Sequence, residues 1–262
     1  MNKIIIIINL IIISLTLKAS PAPMLSQADE ASRKALELTQ DNPEEAATQW
    51  RLACALYEQA SKDPALSNGE LYYNLGNAYA QLGNYALAIL NYRRAQLFLP
   101  GNQQLLANLQ YVRAKCQDHF TPPKKSQVLQ TLFFWHYTLS FHSRLWTSVV
   151  LASAFWLAAF LLLWRRPVWL RITAVFLCLG ALAFGGSALA SAYSFRHAHP
   201  AVIVADETMP RKGDGLSYDH AFDAPIHAGT EVIILRTRGD WHEIALPNRL
   251  TGWLPDTDLE AL

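Results

Sequence analysis

Few residues in this sequence have the types and spacing that chemistry requires. His136 and His142 could coordinate a metal, but no third ligand stands at a helical spacing from them, so we interpret them as membrane-interface residues. Asp206, Asp214 and Asp219 lack the spacing of a known calcium loop, which favours solvated loop charges. The sequence therefore predicts no metal site.

Covalent and redox chemistry also lack their usual residues. The chain contains no GxxxxGK[ST] phosphate cradle, no HExxH motif and no GxSxG motif. Cys54 and Cys116 stand in apolar helical contexts that favour two buried thiols over a disulfide pair. We interpret Cys178 as a core residue, and His197 and His199 as surface residues. We expect no enzymatic activity and no cofactor.

Residues 69–102 have the spacing of two consecutive amphipathic helices. Apolar residues recur at intervals of three and four in each half, and a glycine or proline follows each helix. This pattern predicts a tight antiparallel helix pair. The residues on the two apolar faces are Tyr72, Leu75, Tyr79 and Leu82 in the first helix, and Ala88, Ile89, Tyr92 and Ala95 in the second.

This segment resembles the tetratricopeptide repeat family at the family's eight preferred positions. The resemblance implies a binding module without chemistry of its own, whose inner helix lines a groove for a partner protein. Tyr73, Asn77 and Gln81 stand at the positions that would face this groove, and the alternative is that they form ordinary polar surface. The eight positions are Tyr72, Leu75, Gly76, Tyr79, Ala88, Tyr92, Ala95 and Pro100.

One repeat cannot bury its own apolar faces, so the flanking residues are expected to carry weaker copies. The pattern predicts a helix at residues 26–39, then a helix that resembles the second half of a repeat through Trp50, Ala53, Tyr57, Ala60 and Pro64. Residues 102–117 predict a capping helix. Together they define a tetratricopeptide domain over residues 26–118, with a generic helical bundle as the alternative.

The composition places the chain among membrane proteins. It is 52% apolar and 16% charged, which is too apolar for a typical soluble protein. A net charge of +1 argues against a nucleic-acid partner. Lys3 and the apolar run that follows predict a secretory signal peptide at residues 1–22, with an uncleaved anchor as the alternative.

Two further apolar segments are long enough to cross a bilayer, at residues 145–164 and 172–195. The three arginines of the connection at residues 165–171 predict a cytoplasmic loop. Both soluble parts would then be extracytoplasmic, on a two-span hairpin in the inner (cytoplasmic) membrane. Arg144, Arg196 and the pair Lys124-Lys125 lie on the outer side and weaken this charge argument.

The segment at residues 119–144 is predicted to be a linker followed by an aromatic block at the membrane interface. Beyond the second span, residues 200–262 show short apolar strands separated by turns, which predicts a small antiparallel barrel. This part resembles bacterial SH3-type domains. Tyr218, Trp241 and Trp253 are its candidate ligand contacts, although either tryptophan could instead fill a small core.

The sequence thus predicts a multidomain membrane protein with all-α tetratricopeptide helical hairpins, a two-helix transmembrane hairpin and a small all-β SH3-like barrel. This order of parts resembles the BatE family of the bacterial aerotolerance (Bat) clusters. The resemblance implies a non-catalytic membrane scaffold, linked to oxidative or envelope stress tolerance, that contacts membrane lipid and other Bat-type membrane proteins with von Willebrand A domains. The alternative is a protein that binds or senses peptidoglycan through its SH3-type domain.

Overall fold

The computed structural model of the chain describes residues 22–119, 133–165, 167–197 and 199–262. The chain divides after Gly83 into two compact units. The predicted signal peptide lies outside the described residues except for Ala22, and so does the part of the predicted linker that contains Lys124 and Lys125. Those two predictions are therefore not addressed by the structure.

The first unit consists of helices α1 (Ala22–Leu38), α2 (Pro43–Ser61) and α3 (Gly69–Gln81). Helix α1 begins four residues before the start expected from the sequence. An asparagine caps α2 and another caps α3, because the side chains of Asn42 and Asn68 accept backbone N–H groups of the first helical turn. These caps fix where each helix begins.

The core of the first unit is built mainly from small residues and large aromatic side chains. Alanines on α1 allow α2 to approach closely, and α2 in turn packs on α3. Trp50 and Tyr57 are buried, as the repeat-like spacing of α2 predicts. Tyr79 on α3 is buried as well. The remaining buried apolar side chains of this core are Ala28, Ala31, Ala35, Ala46, Ala53, Cys54, Ala60, Leu71, Leu75 and Ala78.

The second unit begins with helices α4 (Tyr85–Phe98) and α5 (Gln103–Lys115), which pack against each other. Asn84 and Asn102 cap them in the same way as the earlier helices. The residue before the first cap, Gly83, has φ +77°, a left-handed conformation that glycine adopts without steric cost.

Helices α7 (Phe141–Trp164) and α8 (Val168–His197) pack side by side and are preceded by the short helix α6 (Phe134–Thr138). By length and composition, Phe141–Trp164 and Val168–Tyr193 could each cross a membrane, with a mean hydropathy of 2.0. Their outer faces carry large exposed apolar side chains, such as Trp156 and Phe176.

The carboxy-terminal module is an antiparallel sheet of five strands in the order β6-β5-β4-β1-β7, together with a two-stranded ribbon of β2 and β3. The strands are β1 (His199–Ile203), β2 (Glu207–Thr208), β3 (Ile226–His227), β4 (Glu231–Arg238), β5 (Trp241–Ala245), β6 (Thr251–Pro255) and β7 (Leu259–Ala261). Closure of this sheet into an SH3-type barrel stays a prediction.

One face of the sheet carries the core of the module, which includes Ile203, Ile234, Ile244 and Leu254. The turn between β4 and β5 contains Gly239 in the left-handed region, at φ +54°. The turn between β5 and β6 is closed by a hydrogen bond from the Leu246 N–H group to the Leu250 carbonyl.

Candidate partner-binding site

The predicted groove residues lie along one side of α3. Tyr73, Asn77 and Gln81 are spaced four residues apart, so their side chains leave the same helix face. The first two are partly buried and Gln81 is exposed, whereas Leu75 and Tyr79 on the other side are buried. The three residues therefore form one polar strip, and their role in binding stays a prediction.

Tyrosine hydroxyls and carboxylates connect the helices that position this strip. Tyr57 on α2 donates a 2.6 Å hydrogen bond to Asp29 on α1, and Tyr79 on α3 donates one to Glu58 on α2. Burial and the bond to Asp29 raise the pKa of Tyr57. Because each bond joins neighbouring helices, the two bonds fix the alignment of the three helices in the unit that carries the strip.

The first unit is acidic. Residues 22–83 contain nine aspartates and glutamates against four lysines and arginines, a net charge of −5. Two of the four cations are already paired, since Arg33 contacts Glu37 at 2.6 Å and Lys34 contacts Glu45 at 3.6 Å. The unit that carries the strip on α3 therefore has a net negative charge.

The two candidate tryptophans of the carboxy-terminal module share one face of the sheet. Trp241 pairs with Pro255 and Trp253 pairs with Glu243, and alternate residues of a strand point to the same face. Trp253 is only 7% exposed, and the Arg238 guanidinium lies over its ring at 5.4 Å. Trp241 is partly buried.

The third candidate, Tyr218, lies on a loop that pairs with β6. Arg211 forms two backbone hydrogen bonds with Trp253, and its guanidinium donates to the Tyr218 carbonyl at 2.8 Å. The Tyr218 ring packs so closely over Gly213 that a Cβ there would lie 2.6 Å from it. The structure thus brings the loop of Tyr218 to the strand of Trp253, and a ligand role for this face stays a prediction.

A contact that the sequence did not predict joins the carboxy-terminal module to α4 and α5. The carboxylate of Glu231, the first residue of β4, forms ion pairs with Arg113 Nε at 2.6 Å and with Arg93 Nε at 3.1 Å. Arg94 reaches Glu260 on β7 at 3.0 Å and the Ala261 carbonyl at 2.8 Å. We call this contact the docking interface.

Asp118, just beyond α5, forms the second part of the docking interface. Its carboxylate accepts the His227 N–H group at 2.7 Å and the Thr230 hydroxyl at 2.8 Å, and it lies 3.1 Å from the His227 ring nitrogen Nδ1. Burial alone would raise its pKa, but these hydrogen bonds outweigh burial and lower the pKa of Asp118. The ionised form is therefore the one that the interface stabilises.

Gly229 makes the closest backbone approach of the docking interface. It has φ +89°, and a Cβ at this position would lie 2.4 Å from Cys116 Sγ and 3.3 Å from a methyl group of Ile89. Glycine is required here for its conformation and for its lack of a side chain. Cys116 is buried beneath it, and burial raises the pKa of this thiol.

A polar cluster lies where α6 meets the two long helices. Arg144 on α7 is 5% exposed and donates to Ser187 Oγ at 2.8 Å, to Ser191 Oγ at 2.9 Å and to His136 Nδ1 at 2.9 Å. His136 is thus part of a side-chain network. Its interpretation as a membrane-interface residue stays a prediction. The sequence signal for such a cluster is an arginine that directly precedes an apolar segment, here residues 145–164.

The near-zero net charge of the chain conceals strongly charged blocks. Residues 84–118 carry +3, residues 119–199 carry +7 and residues 200–262 carry −6. Residues 119–205 contain no aspartate or glutamate. The acidic residues nearest to Arg144 in sequence are therefore Asp118 on one side and Asp206 on the other. The docking interface joins the block of +3 to the block of −6, which gives it electrostatic complementarity.

Within the described residues, no group of three or more His, Cys, Asp or Glu side chains could hold a metal ion. Cys54 and Cys116 are buried free thiols in the structure. Burial raises the pKa of Cys54 to about 12, which makes its thiolate scarce at neutral pH.

Comparison with known protein families confirms the repeat that the sequence analysis predicted at residues 69–102. Residues 69–102, which contain α3 and α4, match the tetratricopeptide repeat family. The chain matches no curated protein and no solved structure. The chain therefore contains a tetratricopeptide repeat, a module that mediates protein–protein interactions, and two apolar helices that could span a membrane.

Proposed function

We propose that this protein is a non-catalytic, membrane-anchored adaptor of the bacterial cell envelope that binds a segment of another protein on the polar strip of α3. The observation that carries the proposal is the tetratricopeptide match at residues 69–102, with Tyr73, Asn77 and Gln81 aligned on one face of its first helix. The resemblance to the BatE family makes other Bat-type membrane proteins with von Willebrand A domains the partners to test first.

The net charge of the first unit specifies the partner further. A surplus of five negative charges on residues 22–83 favours a partner segment rich in lysine and arginine. Binding is then expected to weaken as the salt concentration rises, because exposed charges are screened over about 8–10 Å at physiological ionic strength.

A pull-down from membranes tests this function. The wild-type chain is compared with the double variant Tyr73→Ala/Asn77→Ala and with the control Gln59→Ala, an exposed residue of α2. We expect the groove variant to lose the partner that both other chains retain. Equal recovery of the same proteins by all three chains would contradict groove binding.

The membrane arrangement in this proposal has α7 and α8 crossing the inner membrane, with the loop at residues 165–171 in the cytoplasm. The docking interface supports it, because contact between Arg113 and Glu231 requires an even number of crossings between them. Labelling of intact spheroplasts with a membrane-impermeant maleimide tests it. We expect Gln81→Cys and Leu216→Cys to react and Arg165→Cys, between the two long helices, to react only after lysis.

A second candidate function is binding of peptidoglycan by the carboxy-terminal module. The observation that favours it is the shared face of Trp241 and Trp253, beside which the Tyr218 loop is held. Co-sedimentation of the full-length protein with purified cell wall is the test, with Trp241→Ala as the variant. Sedimentation that is absent, or unchanged in the variant, would contradict it.

A further inference from the structure

The sheet of the carboxy-terminal module has an apolar patch on the face opposite its core. Ile233 on β4 is 44% exposed and Leu235 is 49% exposed, although both are large aliphatic side chains. Leu235 lies in a β-bulge, since the pairing of β4 with β5 shifts between Ile234 and Arg236. A bulge redirects the side chain, and here it leaves Leu235 exposed.

Neighbouring parts of the same face are covered. Glu231 lies two residues before Ile233 and is held by arginines of the docking interface, and Val202, its partner on β1, is fully buried. On the other side, Trp253 is only 7% exposed, and the Arg238 guanidinium lies over its ring at 5.4 Å. The apolar patch is therefore the part of this face that the described elements leave open.

The strand register places the patch beside the end of the second long helix. Helix α8 ends at His197 and β1 begins at His199, which pairs with Ile234. Pro200 pairs with Ile233, so Leu235 extends past the beginning of β1. The patch is thus adjacent to the first residues that follow the helix.

The distance from the apolar part of α8 to this point matches the thickness of a headgroup layer. The apolar stretch ends at Tyr193, and four further helical residues span about 6 Å. Headgroups occupy about 5–8 Å on each side of the hydrocarbon core. The first residues of β1, and with them the patch, would therefore lie at the outer edge of the headgroups.

We propose that Ile233 and Leu235 contact the lipid surface, with their side chains among the headgroups. This inference rests on the membrane hairpin proposed above. Aliphatic side chains that remain half-exposed in water gain free energy at this boundary, as interfacial helices do. Residues 119–205 contain no aspartate or glutamate, so this stretch brings no carboxylate that would oppose the approach to phosphate headgroups.

Spin-label accessibility in lipid nanodiscs tests the proposal. Labels are placed at Leu235→Cys, at the 76% exposed Leu216→Cys of the same module as a water reference, and at Leu179→Cys in α8 as a lipid reference. The background carries alanine at the three native cysteines. We expect the ratio of oxygen to nickel-chelate accessibility at position 235 to exceed that at position 216 several-fold.

Two results at position 235 would overturn the proposal. A ratio equal to that of position 216 would show that water covers the patch, and protection from both probes would show that protein covers it. A label at position 179 that is open to nickel would instead refute the membrane hairpin itself, and the proposal with it. Should the labelled variants misfold, crosslinking of the native protein with a photoactivatable phospholipid decides, since Ile233 and Leu235 should be modified and Leu216 should not.

Discussion

The two helices within the matched repeat have different surroundings. Helix α3 belongs to an acidic unit and carries the polar strip of Tyr73, Asn77 and Gln81. Helix α4 presents Arg93 and Arg94 to the carboxy-terminal module, which covers them with carboxylates. One family motif thus contains a helix with a candidate surface for another protein and a helix whose surface is used within the chain.

This difference shows how a chain with a net charge of +1 can still direct its contacts electrostatically. The block of +3 at residues 84–118 faces the block of −6 at residues 200–262, so their attraction is satisfied internally. In residues 22–83, by contrast, the four lysines and arginines leave a net charge of −5 uncompensated. The net charge of the whole chain therefore gave no indication of a partner. The charge of each segment, in contrast, supports the cationic partner segment proposed above.

Removing the charge of Glu231 should have the largest effect on the helix that is used internally. Glu231→Gln leaves Arg93 and Arg113 without their shared carboxylate, and we expect the free energy of unfolding to fall by about 2 kcal/mol. The matched control is Asp219→Asn, which removes an exposed pair with Lys212 in the same module and should cost less than about 1 kcal/mol. Thermal unfolding in detergent and hydrogen exchange of α5 measure the two losses, and equal losses would contradict the role of the interface.

Gly229→Ala should weaken the same interface through sterics. Alanine at φ +89° costs about 1–2 kcal/mol, and its Cβ would also contact Cys116 Sγ. The double variant Gly229→Ala/Cys116→Ala removes the steric part and keeps the backbone part. We therefore expect the double variant to recover some of the lost stability relative to Gly229→Ala, and a purely additive result would show that the contact with the thiol is unimportant.

The sequence predicted the elements well because their signals are local. Periodicity and terminal glycine or proline residues located α3 and α4, apolar length located α7 and α8, and short apolar runs between turn residues located the longer strands of the carboxy-terminal module. The turns at Gly83 and Gly239 could be predicted from the sequence, because a left-handed backbone conformation favours glycine whatever element follows the turn.

The docking interface could not be predicted in the same way. Arg113 and Glu231 are 118 residues apart, and no periodicity relates them. The segment charges offered a signal, since a basic helical block and an acidic strand block flank an acid-free stretch. The Arg144 cluster had a local signal in the arginine that directly precedes an apolar segment, but its partners Ser187 and Ser191 become evident only when α7 and α8 are paired.

Acid should open the docking interface through Asp118. Its pKa is lowered in the folded chain, so its carboxylate stabilises the folded state above the ordinary aspartate pKa of about 3.9, and this stabilisation is lost as the pH falls through the folded value. We expect hydrogen-exchange protection of residues 226–231 to fall below about pH 4. Asp118→Asn should lose about 1 kcal/mol at neutral pH and should lack this acid step. An identical step in the variant would assign it to another carboxylate.

The smallest effect on stability is expected at the strip on α3, and this sharpens the comparison with α4 most. Gln81→Ala removes an exposed side chain and should change the free energy of unfolding by less than about 0.5 kcal/mol. Arg94→Ala on α4 should cost more, since it loses both Glu260 and the Ala261 carbonyl. For recovery of the partner from membranes the order should reverse, because the Gln81 variant weakens binding and the Arg94 variant leaves the strip intact. If both variants bind the partner as well as the wild type does while only Arg94→Ala loses stability, the strip is ordinary polar surface, and the partner must bind elsewhere.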